Sequence, residues 1–267
     1  MTEPSPRRGV ALLDVHRLRL VEIPAPPVPP GERAAMDRAW DEAVRANPSF
    51  FDGPVAASAG LEWEGPRSAV LTWARITYRR YALRLVPGAT ARLPPLFVSI
   101  AQPTDDGRLL VGRMSSSTAA PGRWQPPGGS AEPPEDAGPL DTAALARHAA
   151  RELAEETGLD TAPDEMTLWS IVHGEEGDVG VLFLAPPRPE PLLRERFAAL
   201  VASETALGRE PELDRIALVR SPAELARLGG TQVDYLEPIV RRYAGSAPRP
   251  GRRSPGGHRF SGGGPGR

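Results

Sequence analysis

The chain has 267 residues and contains neither cysteine nor lysine. Without cysteine there is no disulfide, no thiolate metal site and no cysteine nucleophile. Without lysine, all 32 basic side chains are arginine. Together with 32 prolines, this fits codon bias in a GC-rich genome better than arginine-specific recognition. No apolar run approaches the roughly 20 residues that span a bilayer. The start, MTEPSPRRGVALLDVH, lacks a secretory apolar core, so a cytoplasmic location with no membrane partner is expected. The formal charge of −2 conceals an asymmetry: five arginines and no acid fall between Ala244 and Arg267, so subtracting their five positive charges leaves −7 on the remainder. An acidic body argues against nucleic acid as the main partner. The Gly-, Pro- and Arg-rich tail has little to bury and is expected to be disordered.

What is present concentrates between Pro126 and Leu159, PPGGSAEPPEDAGPLDTAALARHAARELAEETGL. Its end places Glu152, Glu155 and Glu156 at i, i+3 and i+4 on a helix, which predicts one shared acidic face. Such a face is tolerable when fully solvated, or when a divalent cation that favours carboxylate oxygen neutralises it. Gly128 and Gly129 allow a sharp turn with backbone close to a ligand. Carboxylate helix and glycine turn together point to magnesium-dependent hydrolysis of a phosphoanhydride.

Arg151 to Leu159 matches the right half of the Nudix box, G-x5-E-x7-R-E-U-x-E-E-x-G-U, and the segment resembles that family. The left half matches as Gly128 and Gly129 with Glu132 following. The residue eight before Arg151 is Ala143 rather than glutamate, so the acid of the left half must come from Glu132, Glu135, Asp136 or Asp141. An insertion over Ala131 to Leu140, read as a surface loop, accounts for the spacing. Upstream, the apolar run Leu96 to Ala101, the turn Asp105-Asp106-Gly107, the strand-like Arg108 to Met114 and then Arg123-Trp124-Gln125 stand in the order Nudix proteins show.

The resemblance implies an α/β (α+β) fold, a Nudix α/β/α sandwich around a mixed sheet spanning residues 91–243. An N-terminal helix and strand extension over 1–90 packs on it, and a tail runs over 244–267. It also implies a Mg2+ or Mn2+ cofactor and a nucleotide-type small-molecule substrate; a homodimer is a further expectation. Glu155 and Glu156 hold the metal in this reading. Glu152 is either a third ligand or the base that activates water, and Arg151 pairs with a carboxylate to hold helix against loop. The carbonyl of Gly128 or Gly129 completes the coordination. A further carboxylate is expected from Glu175, Glu176, Asp178, Glu210 or Glu212. His148 and His173 read more naturally as bystanders than as bases.

The extension carries a second resemblance. Arg17 to Ile23 reads as a strand and PAPPVPP as an extended linker. Gly31 to Ala46 shows helical spacing through Met36, Trp40, Ala43 and Val44, stopped by Asn47-Pro48. Strands are expected around Ala69 to Arg75 and Tyr78 to Val86. Trp40, Asn47, Pro48, Phe51, Asp52, Gly53, Thr77, Tyr78 and Arg79 are similar to the leader of a Nudix subgroup that includes animal UDP-glucose diphosphatases, which also has an expanded box. This implies a UDP-sugar substrate, with Tyr78 and Arg79 as a substrate wall beside Gly129. Trp40 and Phe51 read equally well as core. ADP-ribose-like compounds and modified nucleoside triphosphates come next, and a non-catalytic nucleotide-sugar sensor is the rival of another class. After the box, Met166 to His173 and Val179 to Ala185 read as a hairpin, Ile216 to Val219 as a strand, Ser221 to Glu224 as a capped helix start and Gln232 to Tyr243 as a closing helix.

Overall fold

The computed structural model describes residues 9–134 and 138–246. Glu135 and Asp136, two candidates for the left-half acid, and the tail from residue 247 lie outside them.

Two short strands open the chain, β1 (Ala11–Leu13) and β2 (Arg17–Glu22), before helix α1 (Pro30–Ala46). A long hairpin follows, β3 (Pro54–Gly65) and β4 (Ser68–Thr77), with Arg67 at φ 61° in its turn. The expected strand over Tyr78 to Val86 is instead a 3-10 segment, Tyr78–Leu85. It buries Tyr81, Ala82 and Leu83 side by side, a consecutive run that the two-residue alternation of a half-buried strand does not give. Next come β5 (Leu96–Ala101), β6 (Leu109–Met114), β7 (Trp124–Gln125) and α2 (Thr142–Thr157). The remainder is β8 (Thr167–His173), β9 (Val179–Leu184), α3 (Glu190–Ala206), β10 (Leu213–Val219), α4 (Pro222–Ala226) and α5 (Leu236–Ser246).

The strands form three sheets, ordered β1-β8-β9-β5, β10-β6-β7 and β2-β4-β3. Pairing is mixed: β5 runs parallel to β9, β2 parallel to β4, and the other ladders are antiparallel. Alternation along β9 divides the interior. Val179, Val181 and Phe183 join Leu145, Ala149 and Leu153 of α2 in one core. Leu182 faces the other way, into a core with Leu236, Ile239 and Val240 of α5. Sheet between helices is the three-layer arrangement expected from the sequence.

The extension contributes to the first core and also builds a smaller cluster of its own, in which Met36 and Trp40 of α1 pack with Ala82, Leu83 and Ala91. Val15, Ala56, Leu71 and Trp73 are buried with Leu96, Val98 and the α2 side chains, and Thr142 Oγ1 donates to Leu18 O at 3.0 Å. The inserted segment is not all surface. Ala131 is fully buried and Leu140 nearly so; Ala131 N–H donates to Leu96 O while its carbonyl accepts from Ala56 N–H. Helix α5 continues to Ser246, past the start assigned to the tail. Among the described residues no helix is long and apolar enough to cross a membrane.

Candidate active site

The glycine turn is the hinge between two sheets. Gln125 pairs with β6. The chain then crosses to β5, where Ile100 N–H donates to Pro127 O and Val98 N–H to Gly129 O. The approach to β5 is so close that a Cβ on Gly128 would lie 2.2 Å from Val98 O, and its φ of 144° is a conformation that other residues rarely adopt. With this backbone fixed, Gly128 N–H points at α2 and donates to Glu156 Oε2 at 2.8 Å.

Helix α2 is capped by Asp141, whose carboxylate accepts from Ala144 N–H at 2.7 Å, and ends at Gly158 with φ 73°. Asp141 is therefore the N-cap. The acid that meets Arg151 is Glu132, at 2.5 Å. The buried stripe Leu145, Ala149, Leu153 continues one turn further into Glu156, which is 1% exposed. The three glutamates do not share one face equally. Consecutive residues differ by about 100° around a helix, so Glu155 turns to solvent, 3.9 Å from Arg151, while Glu156 turns inward. Glu152 lies between them, its carboxylate over Gly129, where a Cβ would meet it at 2.7 Å.

This grouping raises pKa values. Burial pushes Glu156 well above the usual carboxylate range, reinforced by Glu212, Glu152 and Glu155 and opposed by the Gly128 hydrogen bond. Glu155 is raised by desolvation and then by Glu152. Glu212 has open surface but is crowded by protein; that burial raises it, with Glu152 and Glu155 adding to the shift. Of the loop carboxylates, Glu212 is thus the one that joins the cluster. Glu210 accepts from Ser116 Oγ at 2.8 Å instead. Among the described residues no three acidic or histidine side chains converge closely enough to hold an ion.

Two features nevertheless suit a hard divalent cation. The side chains that act on Glu156 are the carboxylates of Glu212, Glu152 and Glu155, the oxygen type such a cation prefers, and among the described residues Glu156 Oε1 is buried without a hydrogen-bond partner, an arrangement that is costly unless the oxygen is otherwise satisfied.

Glu212, Gly128 and Gly129 open onto a cleft of about 1000 Å³. Its lining also includes Tyr78, Arg80, Arg84 and Arg92 from the extension, and Arg123. Glu176 and Asp178 border it as well, whereas Glu175 and His173 do not. The leader residues fall into distinct places. Tyr78 meets Trp40 edge-on at 6.2 Å and Tyr81 at 5.6 Å. Phe50, not Phe51, stacks on Trp40; Phe51 is 78% exposed. Asn47 donates to Ser117 O and Thr118 O, and Asp52 accepts from Arg79 N–H. Arg79 itself turns to Asp37 of α1 at 2.8 Å and is absent from the cleft wall. Its neighbour Arg80 reaches the wall, because successive residues of a tight helix face different directions. In a chain whose every basic residue is arginine, nothing local in the sequence singles out Arg80, Arg84, Arg92 or Arg123.

Arg79→Ala is accordingly expected to cost only about 1 kcal/mol, the range of a half-exposed ion pair, and to change KM equally for a UDP-sugar and a nucleoside triphosphate. A KM rise confined to the UDP-sugar would place Arg79 in the wall after all.

No curated protein matches the chain. Among solved structures it is similar to a MutT protein from Methanosarcina mazei Go1, with 17% identity over 56% of this chain and 93% of that one at a TM-score of 0.35. It is also similar to a Nudix hydrolase from Nitrosomonas europaea, with 18% identity over 56% and 80% at 0.30. A third match is DR0079 from Deinococcus radiodurans, with 14% identity over 71% and 98% at 0.39. The NUDIX domain model matches residues 95–237, which span the glycine turn, α2 and the Glu212 loop, and the chain therefore belongs to the Nudix family of acid-anhydride hydrolases.

Proposed function

We propose that the chain hydrolyses a nucleoside diphosphate linked to another group, with a UDP-sugar as the favoured substrate and UMP and a sugar 1-phosphate as products. The observation that carries this reading is Glu156 Oε1, buried and without a partner among the described residues, behind the Gly128 turn that lines a cleft of about 1000 Å³. Glu156, Glu155 and Glu152 would hold Mg2+, or Mn2+ in its place. The carbonyl of Gly128 is better suited to assist than that of Gly129, which already accepts from Val98 N–H. A bound cation would supply charge stabilisation at the phosphoryl oxygens and a lowered water pKa. Water adds to one phosphorus and gives up a proton, to Glu152 where that residue is the base rather than a third ligand; the bridging P–O bond breaks, and the departing phosphate takes the electron pair. Arg151 keeps α2 against the loop through Glu132.

The substrate preference rests on the extension. Tyr78, Arg80, Arg84 and Arg92 precede residue 95, where the family match begins, so this wall lies outside the part of the chain that the family model covers. An aromatic face offers a surface for a base or sugar ring, and guanidinium groups suit phosphate. ADP-ribose-like compounds and modified nucleoside triphosphates are the next substrates to test. A screen of magnesium-dependent hydrolysis over nucleotide sugars, ADP-ribose and nucleoside triphosphates, with the nucleoside monophosphate product separated and quantified, decides the matter. UDP-glucose should be turned over, and Arg84→Ala with Arg92→Ala should raise its KM several-fold. Hydrolysis of triphosphates with none of any UDP-sugar would sink the proposal.

A further inference from the structure

The family box leaves open the residue three before its arginine; here it is His148, which the proposed chemistry does not use. His148 is 5% exposed and stands between two box residues. On one side Arg151 NH2 lies 2.6 Å from its Nδ1. A guanidinium has only donors, so Nδ1 must be the acceptor and the ring proton must sit on Nε2. On the other side Nε2 lies 3.1 Å from Glu152 Oε1, but the two do not form a hydrogen bond, and among the described residues Nε2 is buried without a partner, so its N–H is left for Glu152 to take up by a small rotation. Glu132, Arg151, His148 and Glu152 thus form one continuous chain of contacts, from the segment after the glycine turn to the carboxylate that overlies Gly129.

We propose that His148 is a positioning residue for Glu152. Arg151 fixes the imidazole tautomer, the imidazole presents Nε2–H to Glu152 Oε1, and Gly129 leaves room for the carboxylate on its other side. Glu152 is then confined to one rotamer without being drawn into the pair that Arg151 makes with Glu132. The role resembles that of groups that orient a ligating or catalytic side chain from behind, where loss of orientation costs about 10- to 100-fold. It explains why a polar ring occupies a buried position on α2 that any apolar side chain would fill. The inference rests on Glu152 being a working carboxylate, as proposed above, but not on the identity of the substrate.

The test combines a double-mutant cycle with a readout that needs neither turnover nor metal. On the best substrate from the screen, His148→Phe should lower kcat at least tenfold and leave KM within threefold, and His148→Gln, which keeps an N–H donor, should recover at least a third of wild-type kcat. In a Glu152→Gln background, His148→Phe should cost less than twofold, because the group it positions is already lost. Additive losses would mean that His148 acts through something else and would overturn the proposal. In the metal-free protein, nitrogen-15 imidazole spectra, assigned with His148→Gln, should show the Nε2–H tautomer for His148. The Nδ1–H tautomer would overturn the proposal even if no nucleotide sugar were hydrolysed, whereas absent turnover with the Nε2–H tautomer in place counts only against the proposed substrates. Should His148→Phe fail to fold, His148→Gln and His148→Asn complete the cycle, with Asn, too short to reach Glu152, expected to behave as Phe.

Discussion

Replacing Glu156 by glutamine should lower turnover about 100-fold or more, yet leave the metal-free protein at least as stable as the wild type. The two effects have one origin. Glu156 is 1% exposed, with a single hydrogen bond among the described residues, from Gly128 N–H, and glutamine can keep that bond through its own carbonyl oxygen. What glutamine removes is a charge held against desolvation and against Glu212, Glu152 and Glu155, the causes that raise the pKa of Glu156. A carboxyl whose folded pKa exceeds its unfolded value binds a proton more tightly when folded. Its contribution to stability is therefore fully present below the unfolded value of 4.5 and is lost as pH rises through the folded value. Metal-free wild type should lose stability across that window, with Glu155 and Glu212, also raised, adding to the slope. Glu156→Gln should flatten it and melt higher at about pH 8, where the wild-type carboxylate must be buried charged. Magnesium should reverse the order by raising the melting temperature of the wild type more than that of the variant. A variant within threefold of wild-type turnover, or one that melts lower at every pH without metal, would remove Glu156 from the proposed site.

The contrast between Glu155 and Glu156 shows how far the sequence can be read. The spacing of Glu152, Glu155 and Glu156 identifies the helix and its acidic content without difficulty. Which glutamate is buried depends on where Leu145, Ala149 and Leu153 meet β5 and β9, and that is a matter of tertiary packing. The strands Leu96–Ala101, Leu109–Met114 and Thr167–His173 stand out as apolar runs beside turn residues. Strand β3 does not: Val55, Ala56, Ala57 and Ser58 are all buried, but small side chains carry weak strand preference, and β3 is held by its ladder with β4. The left-half acid is another instance. Glu132 and Asp141 look equivalent in the sequence, and the N-cap of α2 and the reach of Arg151 separate them. The cleft arginines are the least legible part, since Arg79 and Arg80 differ only in the direction that a 3-10 turn gives them.

Gly128 and Gly129 should respond in opposite ways to the same one-carbon change. On Gly128 the new Cβ would lie 2.2 Å from Val98 O and 2.8 Å from Ser99 Cα, both main-chain atoms of β5, and the residue's φ of 144° suits only glycine. Neither strand nor turn can yield cheaply, because Val98 N–H and Ile100 N–H hold the turn on both sides. Gly128→Ala is expected to cost roughly 3 kcal/mol or more, a fall of about 6–12 °C in Tm at this size, and to draw the Glu156 hydrogen bond away with it. On Gly129 the obstacle is the far end of a side chain: the Glu152 carboxylate, 2.7 Å from the new Cβ. Glu152 can swing aside at little cost to folding, but it then leaves the position that His148 and Gly129 define for it. Gly129→Ala should therefore melt within about 3 °C of wild type and lose about 10- to 100-fold in kcat, with the loss largely absent when Glu152 is already glutamine. Measuring Tm and kcat for the two variants side by side checks the whole arrangement. Equal destabilisation by both would mean that the turn is rigid at Gly129 as well. An active Gly129→Ala enzyme would mean that Glu152 works from some other rotamer than the one held over this glycine.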